Sequence, residues 1–156
     1  MKLQKMFPLV LMALFLWMGC ATAAPSLTLK VAAGDPEDSE MGVVGKSFKK
    51  YIEEKTKGDV EIVCFYSGAL GDESECLRNV QKGTLPLAIA GIANLVPFEK
   101  RLGLLTLPYL FSNLDEVVTG TNGAAAELLN TYATKSGFRI LTWTYTDFRY
   151  ISNSKR

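Results

Sequence analysis

The chain has 156 residues, with Lys and Arg (17) almost balanced by Asp and Glu (16), and it contains no histidine. That absence removes Ser-His-Asp and Cys-His nucleophile systems and argues against a zinc site. No run of Lys or Arg is present, which argues against nucleic acid, whose phosphates need clustered cations, and against a membrane-surface helix.

The N-terminus differs from the rest. Lys2 and Lys5 make a basic start, Phe7 to Gly19 is apolar and uncharged, and Ala21-Thr22-Ala23 is a small-x-small pattern. A basic start, an apolar core of about 7–15 residues and a small-residue cut site are the three parts of a secretory signal. The apolar run is shorter than the roughly 20 residues of a comfortable transmembrane helix, so an uncleaved anchor is the lesser reading. A cut after Ala23 makes residues 1–23 the signal peptide and keeps Pro25 off the scissile bond. Gly19-Cys20 also fits a lipoprotein mark, with Cys20 lipidated. Trp17 stands where that mark carries an aliphatic residue, so lipid anchoring at Cys20 is the minority reading. Losing Lys2 and Lys5 reverses the sign of the net charge of +1. Export to an oxidising compartment allows Cys64 and Cys76 to pair, the alternative being two buried free thiols.

The exported part alternates strand and helix. Leu27 to Ala32 has period two and reads as a first strand. Asp35 followed by Pro36 suits an N-cap with proline at the first helical position, opening a helix that runs to about Lys55. Met41, Val44, Phe48, Tyr51 and Ile52 form its apolar stripe, and Gly58 stops it. Val60 to Tyr66 is an almost wholly apolar second strand, suited to a sheet covered on both faces. Asp72 and Glu75 form a capping box for a helix whose inner stripe is Cys76, Leu77 and Val80, ended by Gly83. Leu85 to Ala90 is a third strand, and Gly91 to Pro97 a loop. Ser112 to Glu116 starts another helix, Ala124 to Lys135 forms a further one, and Phe138 to Tyr145 is a fourth strand, with extended chain to Ser152.

This order predicts an α/β domain with a mostly parallel sheet flanked by helices. Ligands of such sheets lie outside the carboxyl ends of the strands, here Gly34-Asp35, Ser67 to Glu73, Gly91 to Leu95 and Tyr145 to Arg149.

The segments around those ends resemble the solute-binding proteins of tripartite ATP-independent periplasmic (TRAP) transporters. In order they are Leu70-Gly71 followed by acids, Val80-Gln81-Lys82-Gly83-Thr84-Leu85, Leu107-Pro108-Tyr109-Leu110-Phe111, Gly137-Phe138-Arg139, and Arg149 with Ser152-Asn153-Ser154-Lys155-Arg156. The resemblance implies a two-lobed periplasmic binding fold of roughly twice this length. On that reading residues 24–148 are the incomplete first lobe and residues 149–156 start the crossover to a second. The chain is then an N-terminal fragment with an exposed inter-lobe surface, expected to be aggregation-prone and a poor binder.

The resemblance also implies site residues. Arg149 matches an arginine that faces the cleft and contacts the ligand, and a guanidinium can hold a carboxylate through two parallel bonds. A second family arginine, the main salt bridge to the ligand carboxylate, has no counterpart in the sequence. Glu73 matches a position that is acidic in sialic-acid-type members, although the first turn of a helix favours acids in any case. Gly34 and Gly91 match positions where relatives carry polar ligand contacts; both lack a side chain here, which argues against a sialic-acid-like ligand. Asp147 precedes Arg149 and can orient it. Phe148 and Trp143 can line the cleft, although aromatics at such positions are more often core.

The expected function is capture of a small carboxylate in the periplasm and its delivery to TRAP membrane permease subunits. No catalytic residue, metal or cofactor is expected. One rival is a sensory ligand-binding domain of the same fold. Another is a small periplasmic enzyme, against which stand the missing histidine and the absence of a Gly-x-Ser-x-Gly elbow or a Cys-x-x-Cys pair.

Overall fold

The computed structural model describes residues 24–145 and 152–155. The signal segment, Cys20 and the stretch holding Asp147, Phe148 and Arg149 lie outside the described residues.

Among the described residues three parallel strands form the sheet, in the order β2-β1-β3. β1 (Leu27–Ala33) is central. It pairs with β2 (Val60–Phe65) from Leu27↔Val60 to Ala32↔Phe65, and with β3 (Leu87–Ile89) from Val31↔Leu87 to Ala33↔Ile89. In-register partners in a parallel pair share a face. Val31, Ala33, Ile62, Cys64, Leu87 and Ile89 therefore face one way, and Ala32, Phe65 and Ala88 the other.

The first face receives α1 (Glu40–Lys55). Its cap differs from the expected Asp35-Pro36 start. Ser39 Oγ accepts the Gly42 N–H at 3.1 Å, while Pro36 to Ser39 is a turn closed by Ser39 N–H on the Pro36 carbonyl at 3.1 Å. The Asp35 carbonyl instead accepts Ser67 N–H at 2.9 Å, which ties the ends of β1 and β2 together. Gly45 lets α1 approach the sheet, since a Cβ there would stand 3.0 Å from the Tyr66 hydroxyl oxygen. Burial, and next the Cys64 thiol, push the Tyr66 phenol up to about 12. Met41, Val44 and Phe48 face a groove of about 1180 Å³ that also reaches Leu87, Ile89 and Leu107. Tyr51 departs from the expected stripe: it is 59% exposed, with the Lys55 ammonium 5.6 Å from its ring centroid. Gly58 has the left-handed φ of +82° expected of a helix stop.

α1 also covers the outer edge of β2. Lys49 Nζ donates to the Ile62 carbonyl at 2.6 Å, and Glu53 Oε1 accepts the Ile62 N–H at 3.0 Å. The two side chains pair at 2.7 Å, so together they supply the donor and acceptor that a neighbouring strand would offer. Lys49 first, and the Ile62 N–H second, hold the Glu53 carboxyl below its ordinary range.

The second face receives α2 (Glu73–Gln81), capped by Asp72, which accepts Glu75 N–H at 2.7 Å. Only this half of the expected capping box forms; the Glu75 carboxylate lies over Gly71 instead. Cys76 and Leu77 are buried, as their stripe requires, against Ala32 and Leu85 on one side and Leu102, Leu129, Ala133 and Phe138 on the other. The expected loop after β3 contains a one-turn helix, α3 (Ile92–Leu95), followed by a 3-10 helix (Lys100–Thr106), α4 (Leu114–Gly120) and α5 (Ala124–Lys135).

Glu99 ties the 3-10 helix to the end of α5. Buried, it takes both arms of the Arg101 guanidinium at 2.7 Å and the Ser136 hydroxyl at 3.0 Å. Arg101 lies 3.8 Å over the Tyr132 ring, and its bonds hold the Glu99 carboxyl at about 2.

The expected fourth strand does not form, and of the two states left open for the cysteines the free thiols are found. Phe138 to Tyr145 is not a strand. Its buried contacts fall at Phe138, Ile140 and Trp143, which is not period two, and the Ile140 N–H goes to Asn130 Oδ1 at 3.1 Å instead of to β3. Cys64 and Cys76 do not pair. Cys64 points to α1, with its thiol 3.7 Å from the Gly45 carbonyl, and Cys76 packs under α2 with Ala32 on the opposite side of the sheet.

Candidate functional site

β1 and β3 are neighbours, but the chain leaving each goes a different way. From β1 it turns through Gly34 to α1 and β2; from β3 it continues through Gly91 into α3. A crevice between diverging loops at the carboxyl ends of adjacent strands is where such sheets bind ligands.

Glu73 sits at that point. It opens α2, so the Asp72 cap and the helix dipole fix its backbone and favour its charge. Its Oε2 accepts the Gly91 N–H at 2.8 Å and Asn94 Nδ2 at 2.6 Å, which joins α2 to the loop after β3. Its Cγ and Oε1 lie 2.8 Å and 3.2 Å from where a Cβ on Gly34 would stand. Three sequence-predicted residues, Gly34, Glu73 and Gly91, therefore meet at one place. The missing side chain at 34 is what admits the carboxylate, which fills the space beside Gly34 and takes the backbone donor of Gly91.

Asn94 was missed. It lies inside the flagged segment Gly91 to Leu95, but its only sequence signal was position, three residues beyond the strand-end glycine. The Asn94 N–H donates to the Gly91 carbonyl at 2.9 Å, closing the one-turn helix that aims its side chain at Glu73.

Other residues of the segments singled out in the sequence do not join this cluster. Trp143 is half-buried against the core around Leu102 and Phe138. Tyr109 is 98% exposed at φ +61°. Phe111 packs against Gly120 of α4. Tyr145, at the start of the segment leading to Arg149, is anchored: its hydroxyl lies 2.8 Å from Thr121 Oγ1 and accepts Asn122 Nδ2 at 3.2 Å. Among the described residues no cluster of His, Cys, Asp and Glu has metal-ligating geometry.

The cluster is an acceptor set without a nucleophile–base pair. Its frame is a parallel sheet with a strand-end crevice. Residues 31–156 match the bacterial extracellular solute-binding protein family 7. The chain belongs to that family. A solute-binding protein of Verminephrobacter eiseniae is 32% identical over 136 residues, covering 87% of this chain and 41% of the relative. The 2,3-diketo-L-gulonate-binding periplasmic protein of Escherichia coli is 23% identical over 113 residues, covering 72% and 34%. A crystal structure of a TRAP periplasmic solute-binding protein from Polaromonas, bound to D-erythronate, superposes with a TM-score of 0.67 at 28% identity, over 71% of this chain and 37% of that one. The chain thus spans less than half the length of these relatives. The family 7 proteins are solute-binding components of transport, and the α/β lobe expected from the sequence is the one found.

Proposed function

We propose that this chain forms the first lobe of an extracytoplasmic solute-binding protein of a TRAP-type transporter. It captures a small organic acid in the periplasm and delivers it to the membrane permease subunits. Residues 1–23 direct export, residues 24–148 build the lobe, and residues 149–156 begin the crossover.

One observation carries the reading: within a family 7 chain, Gly34, Glu73 and Gly91 converge on the crevice at the strand ends. Arg149 is the proposed carboxylate ligand of this lobe, its planar guanidinium holding the anion through two parallel bonds. The similarity to the D-erythronate-bound protein supports an acidic solute. Closure of a second lobe would exclude water and strengthen each charge-assisted bond.

Titration calorimetry of the mature protein against a carboxylate panel tests this. Saturable binding of at least one member, weakened by Arg149→Ala, is the expected result. A folded protein that binds no organic acid would overturn the proposal.

A further inference from the structure

Thr121, Asn122 and Gly123 join α4 to α5. Asn122 is the only asparagine of the chain that glycine follows. Such a pair carries its own chemistry, because the backbone nitrogen of the following residue can attack the asparagine Cγ and glycine leaves that nitrogen unshielded. Among the described residues the Gly123 N–H makes no hydrogen bond to another backbone group. Gly123 lies at φ +71° and ψ −144°, a conformation that glycine adopts without cost, and nothing stands within 4 Å of where its Cβ would be. Asn122 itself is exposed.

The Asn122 side chain heads a relay of hydrogen bonds whose direction is fixed. The Val117 and Val118 carbonyls can only accept, and a hydroxyl has one proton to give. Thr121 Oγ1 gives its proton to the Val117 carbonyl at 2.6 Å. The Tyr145 hydroxyl therefore donates to Thr121 Oγ1 at 2.8 Å and accepts from Asn122 Nδ2 at 3.2 Å. The same Nδ2 donates to the Val118 carbonyl. An amide meets this demand with its two protons, and a carboxylate has none. Thr121 is buried, and Thr121 and Tyr145 both line the groove of about 1180 Å³ that Met41, Val44 and Phe48 face.

We propose that Asn122-Gly123 is a self-modification site whose conversion to aspartate or isoaspartate releases Tyr145 from the wall of that groove. The Gly123 nitrogen loses its proton and bonds to Asn122 Cγ. The Cγ–Nδ2 bond breaks, and the amide nitrogen takes up a proton and leaves as ammonia. Water then opens the cyclic imide. Cleavage between Cγ and the Gly123 nitrogen gives aspartate; cleavage between the Asn122 carbonyl carbon and that nitrogen gives isoaspartate. Nothing is oxidised or reduced. The product sets a carboxylate against the Val118 carbonyl and against a Tyr145 oxygen whose proton is committed to Thr121. Turning that proton to the carboxylate would strip the buried Thr121 oxygen of its donor. The intact tie restrains the reaction, because two acceptors hold Nδ2 while Cγ must turn toward Gly123. Opening of the tie permits the modification, and the modification keeps it open.

Peptide mapping by mass spectrometry of the mature protein, aged at mildly alkaline pH, tests this. Deamidation is expected at Asn122 before Asn79, Asn94, Asn113, Asn130 or Asn153. Tyr145→Phe removes one of the two acceptors and should speed it about two- to fivefold. In the aged wild type and in Asn122→Asp, chymotryptic cleavage after Trp143 and Tyr145 should rise relative to cleavage after the exposed Tyr109. The wild-type map and its cleavage pattern carry the test if a variant does not fold. Asn122 left intact while another asparagine converts overturns the site. An unchanged cleavage ratio in deamidated protein, or an unchanged rate in folded Tyr145→Phe, overturns its coupling to Tyr145.

Discussion

Gly34→Ala is the sharpest probe of the site. The backbone at 34 is not in the left-handed region, so alanine brings no strain of its own. Its Cβ, however, would stand 2.8 Å from Glu73 Cγ, closer than carbon atoms approach. Glu73 must swing away, and with it go the bonds to the Gly91 N–H and Asn94. Hydrogen bonds to a charged group contribute about 1.5–3 kcal/mol each in buried settings. Glu73 is half-buried, and solvent screens such groups, so about 1–2 kcal/mol for the pair is the reasonable loss. Against this, an unstrained Gly→Ala change stabilises by about 0.4–1 kcal/mol through the unfolded chain. The net is a destabilisation of about 1 kcal/mol, or a fall in Tm of about 3–5 °C for a chain of this size. The decisive comparison is the same change in a Glu73→Ala background. There the clash is gone, only the unfolded-state term remains, and alanine at 34 should stabilise. The double-mutant cycle should return a coupling of about 1–2 kcal/mol. Gly91→Ala is the control: its Cβ would meet Asn94 and Glu73 at 3.7 Å, ordinary contact, and should be tolerated. Thermal melts followed by circular dichroism supply the data. Equal costs for Gly34→Ala in both backgrounds would refute the placement of Glu73 over Gly34.

Further outcomes follow from the fold. Both thiols should titrate with Ellman's reagent without prior reduction, Cys64 ahead of Cys76, whose thiol is buried and pushed up first by burial and then by Glu75 and Asp72; an intact mass that gains two hydrogens on reduction would show a disulfide instead. Leu102, fully buried beneath α2 and α5, should cost about 3–4 kcal/mol on change to alanine, read from urea unfolding. The Glu99 carboxyl is lowered from 4.5 to about 2, so its contribution is present at neutral pH and is lost as pH falls from the ordinary carboxylate range toward 2. Glu99→Gln should therefore flatten the decline of the urea midpoint across that window, and an unchanged acid limb would count against the Arg101 contact. Glu53→Ala should speed hydrogen exchange at the Ile62 amide selectively, and a uniform rise across β2 would mean that the edge is not what Glu53 protects.

The layered α/β frame was legible because it rests on local signals. Period-two apolar runs, a helical stripe at Cys76, Leu77 and Val80, and glycine stops at 58, 83 and 137, all at positive φ, each fix an element without reference to distant residues. What was misread depended on competition. Asp35-Pro36 is a good start signal, but Ser39 lies three residues before Gly42 and captured the cap. Phe138 to Tyr145 has strand composition, yet Asn130 supplied a partner for its backbone, and a side chain from another helix cannot be read from the segment itself. Between the two states left open for the cysteines, parity decides for the free thiols. In register with Val31, Cys64 faces α1, whereas Cys76 lies on the helix that covers the other face. The site was half legible: Gly34, Glu73 and Gly91 stood out as strand-end positions, but Asn94 became meaningful only when a carboxylate 21 residues earlier was seen against it.

Glu73 had two readings in the sequence, a dipole-favoured acid at a helix start and a ligand contact, and the structure separates their physical demands. A helix start needs only that the charge lie near the first N–H groups, and Asp72 already fills the capping role at 2.7 Å. The dipole does not explain why the next residue reaches across to the loop after β3, or why a glycine faces it from the loop after β1. Those features join two loops that the sheet topology drives apart, and they hold the crevice at a fixed width with one side-chain oxygen left over. An end of the sheet so held, rich in acids and without a Lys or Arg from 31 to 45 or from 66 to 77, cannot itself attract an anion. If the solute is a carboxylate, its attraction must come from elsewhere in the protein. The Tyr145 hydroxyl, held by Thr121 and Asn122, fixes the chain after Phe138 in the same way, through side chains from the end of another helix.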